Sequence, residues 1–345
     1  MDVWNFRQLF IMAKANTFDR SGSIDQLAGV CIIFMIFTHI CQLSYQTGWP
    51  VYIHSLDVFY FYMYFFFMKS GALFHEKILK NSIIQNTRRL LYPYFLFMLV
   101  GHVVHCIGLY LKGSLNVYGC FVQPLREIYH RGSCSGNLPL WFLLCLFLVK
   151  VTYNLLVKCH IKPLVILIVS FSVAVYLQNV EMQIGDIEIP YTIGAFFMSM
   201  SIYVFAVIMA SRNVAIRGGQ IITCILGAIF IASIFLRSPS VDIRSNFCRG
   251  FCLPWFLLSF LACLFFKRIF EYKSFCFSWL ANVGRNSMTY YVWHWILLNI
   301  TSIVYGIMGG TSNKMLWGLM VVACVLILPS IQYAKNKLNI IWIRI

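Results

Sequence analysis

The stretch SGSIDQLAGVCIIFMIFTHI, Ser21 to Ile40, decides the fold class of this chain. Its apolar run is long enough to cross a bilayer, which takes about 20 predominantly apolar residues in a helix. Ser23 and Gln26 have the spacing of a capping box, and Asp25 falls in the first turn, where the helix dipole favours an acidic side chain. The pattern therefore predicts a membrane-spanning helix over 24–43 that starts at Ser23.

Segments of the same kind recur along all 345 residues of the chain, which is 60% hydrophobic and 11% charged and has a mean hydropathy of +0.77. This composition excludes a soluble globular domain. The alternation of apolar and polar side chains that marks a membrane β-barrel does not occur. We therefore predict an all-α, polytopic transmembrane helical bundle of about ten spans, near 24–43, 56–74, 91–111, 138–157, 163–178, 190–210, 219–236, 250–266, 287–308 and 315–333.

The lysines and arginines predict the orientation of this bundle. The formal net charge is +16, and basic residues in short loops between spans orient a membrane protein with the excess inside, so nucleic acid is not expected as a partner. If both termini are cytoplasmic, most basic residues lie in inner segments: Arg7, Lys14, Arg20, Lys77, Lys80, Arg88, Arg89, Lys158, Lys162, Arg212, Arg217, Lys267, Arg268, Lys273, Arg285, Lys335, Lys337 and Arg344. A minority lie in outer segments: Lys112, Arg126, Arg131, Arg237, Arg244, Arg249 and Lys314.

The chain is predicted to have three parts. Residues 1–23 form a cytoplasmic N-terminal segment, either a short helix on the membrane surface or an unstructured leader. Residues 24–333 form the ten-helix transmembrane domain, and residues 334–345 form a short cytoplasmic tail. Most of the 13 cysteines lie in apolar runs and are expected to act as small hydrophobic residues. Three cysteines lie in predicted outer loops, and the sequence leaves undecided whether two of them form a disulfide bridge: Cys120, Cys134 and Cys248.

A histidine inside an apolar span is costly unless it faces the bundle interior, so His39 is a candidate functional residue. It is either a structural histidine that bonds another helix or a general base, because neutral imidazole can take a proton from a hydroxyl. The rise of a helix places His39 about 22 Å along its span and His294 about 10 Å along its own, so a direct contact between them is not expected. His102 and His105 lie one turn apart, but no further ligand completes a site, and no metal site is predicted.

Three further stretches carry polar residues near the predicted inner face. FFFMKSGALF, Phe65 to Phe74, contains Ser70 and Gly71, which allow close helix packing. NTRRLLYPYFLF, Asn86 to Phe97, carries paired arginines that either set topology or hold a phosphorylated ligand: Arg88 and Arg89. NVGRNSMTYYVWHW, Asn282 to Trp295, leads a polar loop into a span, and its candidate residues are Arg285, Asn286, Ser287, Tyr291 and His294.

These pieces, taken in order, resemble membrane-bound acyltransferase family 3, the integral-membrane O-acyltransferases that modify bacterial surface glycans. IDQLAGVCIIFMIFTH resembles the first-helix motif of the family, which runs from an Asp to a His. FFFMKSGALF is similar to its Phe-Phe-x-x-Ser-Gly segment, RRLLYPYF to its basic pair before Pro-Tyr, and LPLWFLLCLFL, Leu138 to Leu148, to its Leu-Trp-Phe-Leu segment. GRNSMTYYVWH resembles its late Gly-x-x-Ser followed by Tyr and His.

The resemblance implies an O-acyltransferase, most simply an O-acetyltransferase, in the bacterial inner membrane. Acetyl-CoA or another acyl-CoA serves as donor from the cytoplasm, a glycan or lipid-linked sugar serves as acceptor, membrane lipids surround the bundle, and no cofactor is permanently bound. The catalytic residues are then His39, as base or acyl carrier, and His294, near the donor thioester or in a packing role. The residues expected at the donor are Lys69, Ser70, Arg88, Arg89, Arg285, Asn286, Ser287 and Tyr291.

One position departs from the family pattern. The family commonly has Arg or Lys eleven residues before the first-helix histidine, where this chain has Ala28. Either the missing positive charge comes from Lys69, Arg285 or the arginine pair at 88–89, or the donor is held differently. Two rival functions share the helices and the topology: a transporter or flippase of a lipid-linked saccharide, and a membrane haem or quinone redox protein.

Overall fold

The computed structural model describes residues 22–46, 60–180, 183–184, 187–211, 220–235, 243, 252–272, 277–308 and 314–337. Most of the predicted N-terminal segment and of the predicted C-terminal tail lies outside these residues, as does Cys248. The described cysteines Cys120 and Cys134 are free thiols.

The described residues are almost entirely helical. The α-helices are α1 (Gly22–Gln46), α2 (Tyr62–Ala72), α3 (Leu79–Asn86), α4 (Tyr92–Leu111), α5 (Gln123–Arg131), α6 (Trp141–Lys158), α7 (Pro163–Asn179), α8 (Tyr191–Ser211), α9 (Gln220–Phe235), α10 (Cys252–Ile269), α11 (Ser278–Arg285), α12 (Ser287–Ile307) and α13 (Lys314–Lys337). Two π-helical turns (Thr87–Leu91 and Tyr118–Val122) and one 3-10 segment (Ser135–Leu140) interrupt them. The short strands β1 (Gln183–Ile184) and β2 (Ile187–Glu188) pair antiparallel, with Gln183 opposite Glu188.

The structure confirms an all-helical membrane protein. An α-helix lies in each of the ten predicted segments. Five described helical stretches are long and apolar enough to cross a membrane: Gly22–Ser44, Leu79–Leu111, Tyr118–Lys158, Tyr191–Ser211 and Lys314–Lys337. The number of ten spans and the cytoplasmic position of both termini stay predictions.

The start of α1 differs from the sequence prediction. Helix α1 already includes Gly22 in its first turn, one residue before the predicted start, and Asp25 lies in the first turn as expected. The side-chain oxygen of Gln26 accepts a hydrogen bond from the backbone N–H of Phe277 at 2.7 Å. Gln26 therefore joins α1 to the segment that precedes α11, and the capping box itself stays a prediction.

The centre of the bundle is packed with aromatic rings. Helix α8 packs against α2, α6 and α7, and α1 packs against α2, α10, α11 and α12. Tyr64 and Phe67 of α2 are fully buried, where they contact Trp255 at 5.8 Å and Phe142 at 4.9 Å between ring centroids. Because lipid tails are as apolar as these rings, the helices associate through close van der Waals packing.

The outside of the bundle is apolar as well. Phe95 of α4 is 61% exposed and Leu326 of α13 is 67% exposed. In water such a surface would drive aggregation, whereas lipid accommodates it at no cost. The exposed faces of these helices are therefore suited to acyl chains.

Helix α11 lies across the first turns of α1 with almost no side chain between the two backbones. Gly29 of α1 touches the carbonyl of Leu280, and Gly284 of α11 lies against the carbonyl of Asp25. A Cβ atom at either glycine would overlap that carbonyl oxygen. This close approach brings the residue after Gly284, Arg285, to the N-terminal end of α1.

Candidate active site

Two histidines from different helices stack inside the bundle. The rings of His39 of α1 and His294 of α12 have centroids 5.3 Å apart and an interplanar angle of 22°. The ring of Trp295 meets His39 edge-on at 5.0 Å. These two histidines are called the histidine pair below.

The histidine pair corrects the sequence analysis, which did not expect His39 and His294 to meet. That expectation compared the rise along two separate helices, each counted from its own first turn. Such a difference does not measure the distance between two side chains, because the helices start at different points and both imidazoles extend away from their axes. The expectation of separate depths was therefore wrong.

The hydrogen bonds of His294 fix which of its nitrogens carries the proton. Its Nδ1–H donates to the backbone carbonyls of Tyr291 at 2.7 Å and Tyr290 at 3.2 Å. A carbonyl only accepts, so Nδ1 must hold hydrogen and Nε2 keeps the lone pair in the neutral ring. Nε2 is completely buried and has no hydrogen-bond partner among the residues that the structure describes. An available lone pair in an apolar interior is the chemistry of a base.

His39 has the same arrangement through a different partner. Its Nδ1–H donates to the side-chain oxygen of Gln42, one turn later on α1, at 3.0 Å. Nε2 of the neutral ring therefore carries the lone pair, as in His294. His39 is half-buried, whereas His294 is fully buried, so His39 is the more accessible of the two imidazoles.

The 3-10 segment Ser135–Leu140 enters the bundle beside the histidine pair. Three side chains of α12 donate to its carbonyls: Tyr291 to Pro139, Asn299 to Gly136 at 3.0 Å, and Trp295 to Ser135 at 3.4 Å. These three residues are spaced by four, which places them along one face of α12. The segment is thus bound to the same helix that carries His294.

Asn137 has the irregular backbone of this segment, with φ of −151° and ψ of 74°. Its side chain is fully buried, and its Nδ2 donates to the backbone carbonyl of Val292 at 3.2 Å. Its Oδ1 has no hydrogen-bond partner within the described part of the chain. Irregular backbone within a membrane is stable only inside protein or along a wet cavity. The unpaired Oδ1 in this position is suited to accept a hydrogen bond from a hydroxyl ligand.

A carboxylate binds the first residue of the 3-10 segment. Glu127 of α5 accepts hydrogen bonds from the backbone N–H of Ser135 at 2.6 Å and from its hydroxyl at 2.7 Å. Gln123, one turn earlier, donates to the same carboxylate at 3.0 Å. Because charge-assisted bonds are the strong ones, Glu127 fixes the position from which the segment enters the bundle.

A second cluster lies at the N-terminal end of α1, where the buried Asp25 forms two ion pairs. Its carboxylate lies 3.6 Å from Nζ of Lys69 and 3.6 Å from Nε of Arg285. Ala28, one turn after Asp25, is fully buried. The positive charge at this level of α1 therefore comes from α2 and α11, as the sequence analysis expected for Lys69 and Arg285.

A third cluster surrounds the arginine pair. Arg88 and Arg89 are exposed in the π-helical turn Thr87–Leu91. Pro93, near the start of α4, has no N–H to bond the carbonyl of Arg89, so an ordinary α-helical turn cannot continue there. The π turn absorbs this break and directs two consecutive arginines away from the core.

The remaining predicted residues lie near these clusters. Asn286 joins α11 to α12, and its side-chain amide donates to the carbonyl of Asn282 at 2.9 Å. Ser287 starts α12 and is half-buried, and Ser70 follows Lys69 at the end of α2. Tyr291 lies 6.2 Å from His294 between ring centroids, so of the expected donor residues it is the one beside the histidine pair.

The two candidate metal ligands on α4 have another arrangement. Nε2 of His102 lies 2.8 Å from the carbonyl of Cys120 and 3.4 Å from the thiol of Cys106. The described residues contain no group of three or more side chains able to hold a metal ion.

Sequence reasoning missed several residues of these clusters. Asp25 was assigned to helix capping alone, although a carboxylate near a membrane span is costly and predicts cationic partners. Gln42 was recognisable, because a polar residue one turn after His39 lies on the same face. Nothing in the sequence pointed to Asn137 or Glu127, whose roles depend on where the 3-10 segment enters the bundle.

Fold and site together define an integral-membrane helical protein with a buried imidazole pair and cations at one end. The chain belongs to membrane-bound acyltransferase family 3, whose family model, described as an acyltransferase domain, matches residues 21–333. Comparisons with curated proteins and with solved structures gave no match. Acyl transfer is therefore the class of reaction that the family suggests for this chain.

Proposed function

We propose that this protein transfers an acyl group, acetyl in the simplest case, from cytoplasmic acyl-coenzyme A to a sugar hydroxyl of a surface polysaccharide or glycolipid. The observation that carries the proposal is the stacked pair of His39 and His294 inside a bundle of the acyltransferase family. We further propose the bacterial cytoplasmic membrane as its location, because only there does a multi-pass protein meet cytoplasmic thioester on one side and exported glycan on the other.

The lone pair on Nε2 of His39 supports two routes. In the first, Nε2 takes the proton of the acceptor hydroxyl while the oxygen attacks the thioester carbonyl, and the proton then leaves with the coenzyme thiol. In the second, Nε2 attacks the carbonyl itself, the thiolate leaves, and the acyl-imidazole passes its acyl group to the hydroxyl. Both routes regenerate neutral His39 and yield one ester and one thiol. The bond from Nδ1–H of His39 to Gln42 serves both routes, since it places the lone pair of the neutral ring on Nε2.

The neighbour ring has a supporting role in this proposal. A proton taken up by His39 creates an imidazolium next to His294, whose Nε2 lone pair is available among the described contacts. Two positive charges at this separation oppose each other, so the pair holds one extra proton more readily than two. Such a pair suits a proton that must be taken up and released within one turnover.

The charges support a vectorial arrangement. Lys69, Arg88, Arg89 and Arg285 belong to the predicted inner end and are suited to the phosphates of the donor, with Asn286 and Ser287 close to Arg285 in sequence. The 3-10 segment follows the predicted outer loop and reaches α12 beside His294. We propose that the acceptor approaches along this segment, with the buried oxygen of Asn137 accepting a hydroxyl hydrogen.

The test measures release of coenzyme A thiol from acetyl-coenzyme A by membranes that contain the protein and glycan acceptor. We expect His39→Ala to lower the rate by at least about 100-fold, the lower bound for loss of a general base. His160→Asn is the matched control, because His160 is exposed and has a left-handed φ of 59° that Asn adopts readily. The control should release thiol at the wild-type rate.

Two outcomes would oppose the proposal. Equal thiol release by the wild type and by His39→Ala would remove the catalytic role of His39. Glycan export by the wild type with no acyl transfer, and only partly reduced export by His39→Ala, would favour the transporter or flippase. A redox protein is tested separately by the visible spectrum, in which a haem gives a strong Soret band.

A further inference from the structure

Two cysteines meet at one imidazole near the predicted outer end of α4. Nε2 of His102 lies 2.8 Å from the backbone carbonyl of Cys120 and 3.4 Å from Sγ of Cys106. A carbonyl only accepts, so Nε2 holds the hydrogen and shares it between this oxygen and the sulfur. The backbone of one cysteine and the side chain of the other therefore lie against the same ring atom. The two thiols are also within hydrogen-bond reach of each other.

The path of the chain after α4 explains why these two residues meet. Gly113 follows the helix with a left-handed φ of 66°, a conformation that commonly ends a helix at glycine. The side-chain oxygen of Asn116 then accepts a hydrogen bond from the backbone N–H of Gly119 at 2.7 Å. The next residue, Cys120, belongs to the π-helical turn Tyr118–Val122. The chain thus turns back after α4 and brings Cys120 against the last turns of that helix.

A third thiol in this part of the structure has a different neighbour. Sγ of Cys134 lies 3.2 Å from Sδ of Met98, and the backbone N–H of Cys134 also contacts that sulfur, at 3.4 Å. Met98 lies two turns before Cys106 along α4. Cys134 is fully buried, whereas Cys106 and Cys120 are partly exposed. Of the three thiols, Cys106 and Cys120 are the two that lie together and that an oxidant can reach.

We infer that Cys106 and Cys120 form a disulfide bridge. The structure shows both as free thiols, the reduced state of the pair. Disulfides persist outside the cytoplasm, and the predicted topology places both cysteines on the outer side. The bridge joins α4 to the π-helical turn that leads into α5, whose Glu127 binds the 3-10 segment. It therefore fixes the entry of that segment whether or not the protein transfers acyl groups.

The bridge forms by exchange with an oxidant of the disulfide class, for which oxidised glutathione is the probe. The thiolate of one cysteine attacks a sulfur of oxidised glutathione and releases one glutathione. The thiolate of the other cysteine attacks the resulting mixed disulfide and releases the second. The protein exchanges two S–H bonds for one S–S bond, and glutathione takes up the two electrons and the two protons.

The experiment maps the cysteines of the full-length protein by mass spectrometry. One sample is membranes alkylated with N-ethylmaleimide at lysis, and the other is purified protein in detergent, alkylated after equilibration with oxidised glutathione. The variants are Cys106→Ser and Cys120→Ser. The controls are Cys134→Ser and Cys159→Ser, the second of which removes an exposed thiol just after α6.

We expect a peptide that links Cys106 to Cys120 in both samples of the wild type and of both controls. The peptide should be absent from Cys106→Ser, from Cys120→Ser and from samples reduced with dithiothreitol. Closing a loop of about 15 residues restricts the unfolded chain, so reduction should lower the thermal midpoint of the wild type by about 5 °C. The midpoints of Cys106→Ser and Cys120→Ser should not respond to reduction.

Two results of the mapping would overturn the bridge. One is a peptide that links Cys120 to Cys134, which would assign the wrong partner. The other is maleimide on both Cys106 and Cys120 in membranes, even if glutathione joins them in detergent. Because the wild type alone gives either result, a serine variant that does not fold leaves the test decisive.

Discussion

At the scale of single residues, the group that accepts a hydrogen bond from Nδ1–H decides which imidazole nitrogen carries the lone pair. Gln42 holds the Nδ1–H of His39 at 3.0 Å, and two backbone carbonyls hold that of His294. Both rings therefore present Nε2 as the nitrogen with the lone pair. Gln42 is a positioning residue in the proposed reaction, because it acts on the acceptor only through His39.

We predict that Gln42→Leu lowers kcat by about tenfold and leaves KM for the acyl donor unchanged, since a leucine cannot hold the ring while the donor cations remain in place. Gln42→Glu keeps an oxygen that accepts from Nδ1–H and should restore most of kcat. Steady-state thiol release measures both constants. A Gln42→Glu variant as slow as Gln42→Leu would contradict the positioning role.

The ion pairs of Asp25 show which cations lie near the start of α1, where the chain lacks the usual cation at position 28. Lys69 reaches the carboxylate from α2 and Arg285 reaches it from α11. A buried carboxylate without partners would be very unfavourable, so the two cations stabilise the N-terminal end of α1. Whatever else these cations bind, three helices meet at Asp25.

At the scale of elements, the crossing of α1 and α11 depends on the absence of side chains. Gly284 lies against the carbonyl of Asp25 and Gly29 against that of Leu280. Backbones this close gain many weak contacts, which drive helix association in a membrane. The same closeness places Arg285 within reach of Asp25.

We predict that Gly284→Ala destabilises the protein by about 1–3 kcal/mol, the usual cost of forcing extra volume into a packed contact. Its new methyl group would overlap the carbonyl oxygen of Asp25. Gly306→Ala, in α12, is the matched control, because a Cβ there has no atom within 4 Å. Thermal unfolding in detergent compares the two variants, and equal midpoints would show that α11 does not depend on this contact.

The 3-10 segment is the other element whose position decides the site. Glu127 fixes one end and three side chains of α12 bind its carbonyls. A non-helical segment inside a membrane protein needs this many polar partners, because lipid offers none. Because of its bonds to α12 and its buried Asn137, this segment is the part of the predicted outer side that lies nearest to the histidine pair.

At the scale of the whole molecule, the excess of basic residues in the predicted inner segments gives the bundle a direction. The cluster at Asp25 would then face the cytoplasm, and the 3-10 segment would enter from outside. The histidine pair lies between these ends.

We predict that both termini are cytoplasmic. A fluorescent protein fused after Ile345 should fluoresce, and alkaline phosphatase fused there should be inactive, because it folds only outside the cytoplasm. Phosphatase fused in the predicted outer loop after Glu188 should be active and serves as the control. An active phosphatase at the C-terminus would reverse the orientation and, with it, the proposed sides for donor and acceptor.

Sequence alone was sufficient for the class of fold, the positions of the helices and the family. These features depend on local hydropathy and on the order of short motifs, both of which can be read directly from the sequence. The sequence also singled out His39, His294, Lys69 and Arg285 as candidates, because polar groups are rare and costly inside apolar helices, and their functional roles stay predictions. Helix α1 starts one residue before the predicted position, at Gly22, and Gln26 bonds the backbone of Phe277.

Only the tertiary structure decided which of these residues meet. His39 and His294 stack, although their positions along two helices predicted no contact. Asp25 joins Lys69 to Arg285 across three helices. The partners of Asn137 likewise come from segments distant in sequence. The physical reason is that helix crossing angles, fixed by the close fit of residues such as Gly29 and Gly284, set distances between side chains, and no count along a single helix contains them.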